Sequence, residues 1–145
     1  MSELKIERRL NAPLALVFRF VTEANNLAKW WGPEGMSLPD AALDFSRTGP
    51  WHSVMMNAEG QRYKVSGQVT HVTPPHSVGF TWAWHDEADQ RGEESHVTIT
   101  LADNGDGTTQ FTLHHQQLAT DEAAQNHNQG WTSSLRKLER LTNQP

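Results

Sequence analysis

Two histidines carry the main chemical potential of this chain. His127 falls on the apolar stripe of the last amphipathic segment, where Ala124, His127, Trp131, Leu135 and Leu138 recur at three- and four-residue steps. His115 continues the alternation of Phe111 and Leu113, so it should share their inward direction on a strand. Imidazole changes charge near neutral pH. Either ring could serve as an acid or base, or as a hydrogen-bonding group for a ligand. The competing reading is a core histidine satisfied by a neighbouring carbonyl.

Other chemistries find no support. The chain has no cysteine, which excludes disulfides, thiolate catalysis and zinc–thiolate sites. His114 and His115 project from opposite sides of one strand and cannot chelate jointly. No HExxH or carboxylate cluster accompanies them, so no metal is expected. His52, His71, His76, His85 and His96 are scattered and read mostly as surface residues. Asp40, Asp44, Glu93 and Glu94 sit near turns or in polar surroundings, and no nucleophile–base pair or phosphate loop stands out. No cofactor is implied, and enzymatic activity is not indicated.

What remains is a wall of large apolar side chains. Phe80, Trp82 and Trp84 lie on one face of one strand, which suits a planar ligand as well as ordinary core packing. Phe45, Tyr63, Ile99, Phe111 and Leu113 alternate on neighbouring strands. Only one of Met55 and Met56 can face inward, and Met55 is the candidate. Trp30 and Trp31 are about 100° apart on a helix, so one should pack inward, here Trp31, while the other closes the following loop. That loop, residues 32–39, contains Gly32, Pro33, Gly35, Met36 and Pro39 and could gate a cavity mouth.

The elements that position these residues follow from pattern and punctuation. Residues 3–10 alternate as a strand. Pro13 suits the first turn of a helix carrying Leu14, Val17, Phe18 and Val21, and a second short helix ends at Trp30-Trp31. Strand-like runs then fill residues 40–117, starting with Leu43 and Phe45, and divided by Ala58-Glu59-Gly60, Pro74-Pro75, the polar loop 85–92 and Asp103–Gly107. Residues 119–142 form one closing helix, with Thr120 as N-cap, Asp121 and Glu122 at its positive end, and Arg136, Lys137 and Arg140 at its negative end. Short successive strands imply an antiparallel meander, and a lone long helix must bury its stripe against it.

Composition bounds the rest. A chain of 145 residues is the size of one domain, 1–145. Its net charge of −5 argues against nucleic acid and anionic membrane surfaces as partners. No apolar run approaches a membrane span, and a cytoplasmic location is expected.

The order strand, two short helices, meander, long helix resembles the helix-grip fold of the START-like, SRPBCC superfamily, which includes the birch-pollen-allergen type. Finer motifs resemble the bacterial branch related to the C-terminal domain of the heat-shock-protein-ninety ATPase activator. They are Ala12-Pro13, Trp30-Trp31-Gly32-Pro33-Glu34-Gly35, Val65-Ser66-Gly67, Thr73-Pro74-Pro75, Phe80-Thr81-Trp82, Val97–Leu101, Gly107-Thr108-Thr109 to His115, and Gly130-Trp131 with Leu135 and Leu138. Thr48-Gly49-Pro50 departs from that branch's usual glycine pair. The resemblance implies an α+β fold, with a curved sheet of six or seven strands wrapped on the C-terminal helix. It also implies a mainly hydrophobic cavity between them, and as partners a small hydrophobic or aromatic molecule or a chaperone. A cavity enzyme of the cyclase or hydrolase type is a further possibility within the superfamily. An exposed sheet face or edge could support a homodimer.

Overall fold

The structure, a computed structural model, describes residues 1–143. Strand β1 (Ser2–Leu10) leads into helices α1 (Leu14–Thr22) and α2 (Ala24–Leu27). Strands β2 (Ser37–Ala42), β3 (Gly49–Met56), β4 (Arg62–Thr73), β5 (Ser77–Trp84), β6 (Ser95–Asp103) and β7 (Thr109–Leu118) follow, and helix α3 (Asp121–Thr142) closes the fold. All neighbouring strands are antiparallel, in the order β1-β7-β6-β5-β4-β3-β2. This is the α+β helix-grip architecture expected from the element order, with seven strands.

Helix α3 forms where its ends are best satisfied. The Thr120 side chain accepts the Ala123 N–H, and Asp121 and Glu122 occupy the first turn. Its stripe of Trp131, Ser134, Leu135 and Leu138 is buried. It packs against β1 and β7, and Arg8 of β1 pairs with Glu139 at 2.9 Å. Alternation makes the inner face of the sheet apolar: Val97, Ile99 and Leu101 of β6 and Phe111 and Leu113 of β7 are all buried.

Three expectations need correction. The first strand after the helices is Ser37–Ala42, which starts within the expected loop 32–39, whereas Leu43 and Phe45 lie beyond it. Both are buried, and the Phe45 N–H donates to the Thr22 carbonyl at 2.8 Å. That segment is tied to the end of α1, and its alternation comes from two side chains dropping into the core. Trp30 and Trp31 are also both buried, at 0% and 2% exposure. The chain leaves α2 in a turn, so the two rings diverge: Trp30 donates to the Phe20 carbonyl at 2.9 Å and Trp31 to Ser53 Oγ at 3.0 Å. Lastly, most of the scattered histidines are half-buried on the outer face of the sheet.

Candidate functional site

The space between sheet and helix is largely filled by aromatic rings. Trp31 is central, with ring centroids 5.6–6.2 Å from Phe45, Trp51, Phe80, Trp82 and Trp131. Phe80 lies 4.4 Å from Phe45. Phe45, Phe80, Ile99, Phe111, Leu113 and Leu135 belong to the packed core and border neither of the two openings along α3. Tyr63 is 40% exposed, and Met36 packs against the edge of the core without reaching an opening. Among the described residues, indoles fill much of the space where a deep cavity was expected.

What stays open lies along the N-terminal half of α3. One opening of about 190 Å³ is bordered by Trp31, Gly32, Pro33, Met55, Trp82, Trp84, Asn126, His127, Gly130, Trp131 and Ser134. A second, of about 170 Å³, is bordered by Gly92, Glu93, Ser95, Gln117, Leu118, Ala119 and Ala123. Trp82, Trp84 and His127 border both. Six of the sequence-derived candidates thus meet at the first opening: Trp31, Met55, Trp82, Trp84, His127 and Trp131. Gly32 and Pro33 come from the loop expected at a cavity mouth and Ser134 from the inward stripe of α3, whereas Asn126 and Gly130 were not expected to line it. Gly130 stands in a motif, but a residue without a side chain gives no sign of what it lines.

The rim is anchored. The Glu34 N–H donates to Ser133 Oγ at 2.8 Å, and the Glu34 carboxylate pairs with Arg140. Lys137 Nζ donates to the Trp31 carbonyl at 3.4 Å. Gly32 has φ +84°, and a side chain there would meet Met55 Sδ at 3.1 Å. The loop after α2 is therefore clamped to α3, an arrangement ill suited to a freely swinging gate.

The two histidines play different parts. His115 is fully buried. Its Nδ1 accepts the Trp131 indole N–H at 3.1 Å, so its proton sits on Nε2, which faces Ser95 Oγ at 2.7 Å. Ser95 in turn faces the Trp82 carbonyl at 3.4 Å. Burial, reinforced by His127 nearby, pushes the His115 pKa down to about 3. This is a satisfied core histidine, and it borders neither opening. His127 is half-exposed, with its ring 4.5 Å from that of His115 and stacked on Trp84 at 5.9 Å. Its Nε2 accepts the Trp84 indole N–H at 3.3 Å, which leaves its proton on Nδ1. Burial lowers its pKa to about 4. At neutral pH both rings are uncharged and weakly basic, which disfavours proton abstraction and suits hydrogen bonding.

The six indoles give a further observation. Trp30, Trp31, Trp51, Trp84 and Trp131 each donate their N–H to an acceptor. Trp82, 5% exposed and bordering both openings, has a buried N–H with no partner among the described residues. No group of three or more metal-ligating side chains occurs among the described residues. No helix there is long and apolar enough to cross a membrane.

Comparison with known proteins places the chain. Residues 11–143 match the family described as activator of Hsp90 ATPase homolog 1-like protein. No match is found among curated proteins. Among solved structures, the AHSA1 protein from Silicibacter pomeroyi shares 51% identity over 96% of both chains, with a TM-score of 0.92. A protein from Chromobacterium violaceum, 24% identical over 100% of both chains, superposes with a TM-score of 0.87. One from Mycobacterium smegmatis, 23% identical over 99% of this chain and 91% of that one, superposes with 0.81. These last two share the fold. By its sequence match over nearly its whole length and by its 51% identity to an AHSA1 protein, the chain belongs to the family of activator of Hsp90 ATPase homolog 1-like proteins.

Proposed function

We propose that this chain, acting as one cytoplasmic domain, binds a small planar aromatic molecule that carries a hydrogen-bond acceptor. The orphan indole N–H of Trp82 supports this most directly. An unmade buried hydrogen bond costs about 1–3 kcal/mol, and the other five indoles avoid that cost. A ligand acceptor would complete the set. The ring walls of Trp31, Trp84 and Trp131 favour a flat apolar body, and the Nδ1–H of neutral His127 offers a second donor. The stacked pair Trp84–His127 stands between the two openings. Trp82 borders both openings beside that pair, so in this reading the pair shifts to admit the guest.

Titration of intrinsic fluorescence with naphthalene and 1-naphthaldehyde tests the reading. The aldehyde should bind about tenfold tighter than the hydrocarbon, the value of one good hydrogen bond. Trp82→Phe keeps an aromatic side chain, deletes the N–H and should shrink the difference. Equal affinities in the unmodified chain would overturn the assignment.

The family's printed description supports a second reading, a module that acts on a chaperone ATPase. Its test is the steady-state ATPase rate of a purified Hsp90 with and without the chain. No change in rate and no complex by gel filtration would exclude it.

A further inference from the structure

The outer face of the sheet holds an arrangement that neither reading uses. Ser66 lies between Val65 and Gly67 on β4, and alternation turns its hydroxyl to the face away from α3. His85 follows β5 and is held in place by its backbone N–H, which donates to the Lys64 carbonyl at 2.9 Å. Its side chain is only 10% exposed. His85 Nδ1 lies 2.8 Å from Asp89 Oδ1, and Nε2 lies 2.7 Å from Ser66 Oγ. A carboxylate on Nδ1 fixes the proton there, so Nε2 presents its lone pair to the serine hydroxyl. The order of contacts is nucleophile, base, orienting acid, which identifies such a set by geometry on any fold.

The surroundings hold this order. Asp89 sits at φ +60° within a tight loop, where Asp86 Oδ1 accepts the N–H groups of Ala88 and Gln90, each at 2.9 Å. Lys64 Nζ pairs with Asp89 at 3.1 Å. The hydrogen bonds from Lys64 and His85 hold the Asp89 carboxyl below its usual range. Arg91 Nε donates to Ser66 Oγ at 3.0 Å, and its Nη2 donates to the Ser66 carbonyl at 3.2 Å. The guanidinium, which also pairs with Glu94 at 3.3 Å, thus places a positive charge beside the nucleophile, where it favours alkoxide character on Ser66 Oγ as its proton leaves. A groove of about 310 Å³ opens here between Pro50, His52, Lys64 and Gln68.

We infer that Ser66, His85 and Asp89 form a hydrolytic site for small activated acyl esters, with the Arg91 charge set against the nucleophile. Ser66 Oγ attacks the acyl carbon while its proton passes to His85 Nε2. The ester C–O bond breaks, and the leaving alcohol takes that proton. Water then attacks the acyl-serine, giving a proton to Nε2. Ser66 regains it as the carboxylic acid departs. Asp89 is a positioning residue throughout.

The full chain should be incubated with p-nitrophenyl acetate and, separately, with a fluorophosphonate probe. One phosphonyl adduct per chain is expected, mapped to Ser66 by peptide mass spectrometry, with saturable ester hydrolysis. Ser66→Ala should abolish labelling and lower hydrolysis at least about hundredfold. His85→Gln can keep both neighbours bonded while removing the base, so it should silence the site in a chain that retains its circular dichroism. Asp89→Asn should lower the rate and shift its pH profile, an effect that loop pinning alone would not give. Labelling at another residue, no labelling, or hydrolysis undiminished in a folded His85→Gln chain would show that the network only pins the loop, and the inference would fall.

Discussion

The two faces of one sheet treat histidine in opposite ways. Consecutive residues make the contrast: Trp84 stacks on His127 on the helix side, while His85 turns to Ser66 and Asp89 on the other. Inside, His115 and His127 are surrounded by indoles, and desolvation drives their pKa values to about 3 and 4. They are neutral parts of a wall. Outside, a carboxylate orients the ring of His85 and a guanidinium shares its serine. Strand alternation alone separates the face lined by indoles from the face that carries the Ser66–His85–Asp89 contacts. The residue type decides little until its neighbours are known.

The largest test of this contrast is Trp131→Ala. Trp131 is 4% exposed, lies 5.3 Å from Trp82 and donates to His115. Its loss should cost about 3–5 kcal/mol in chemical denaturation. Ser66→Ala on the outer face should change stability by less than about 1 kcal/mol. Equal costs would erase the distinction between the faces.

Acid comes next. His115 and His127 have folded pKa values below the ordinary 6.5, so the unfolded chain binds more protons in this range. Their contribution is complete above about pH 6.5 and is lost as pH falls toward 4 and then 3. A loss of several kcal/mol is expected, with both histidines contributing. Urea midpoints between pH 7 and pH 4 check it, and His115→Leu should flatten the slope.

Gly67→Ala probes the seam between the faces. A methyl group there would lie 2.0 Å from the Thr81 carbonyl oxygen, which accepts the Trp51 indole N–H at 3.1 Å. Thr81 Oγ1 accepts the Gln68 N–H at 2.8 Å, standing in for a ladder bond. The backbone cannot yield as a side chain would, so about 1–3 kcal/mol of destabilisation should appear in thermal melts.

The smallest effect on stability belongs to His127→Ala, about 1 kcal/mol or less, because its ring is half-exposed and accepts one bond from Trp84. Its readout is naphthaldehyde affinity, which should fall. A destabilisation matching that of Trp131→Ala would make His127 a structural residue.

Much of the architecture is legible in the residues. Alternation in Val97–Leu101, the turn at Asp103–Gly107 and the cap at Thr120 each have a local cause, and each forms as its chemistry requires. Leu43 and Phe45 mislead because a period of two records burial on one side, not ladder pairing. The candidate wall was legible as a set of large side chains, but its packing was not. Whether six indoles enclose a void or fill it depends on ring orientations set by acceptors as distant as Phe20 and Ser53. Ser66, His85 and Asp89 are hidden for a different reason. They meet only through the β4–β5 register and a left-handed residue in the loop.

The sheet order has a consequence for biosynthesis. The strand made first, β1, hydrogen-bonds only to β7, the strand made last. Roughly 100 residues separate them, which at about 5–20 residues per second leaves β1 unpaired for about 5–20 s on the ribosome. Throughout that interval Leu4, Ile6 and Leu10, which the finished protein buries, have no sheet or closing helix to cover them. Completion of β7 and α3 ends that exposure.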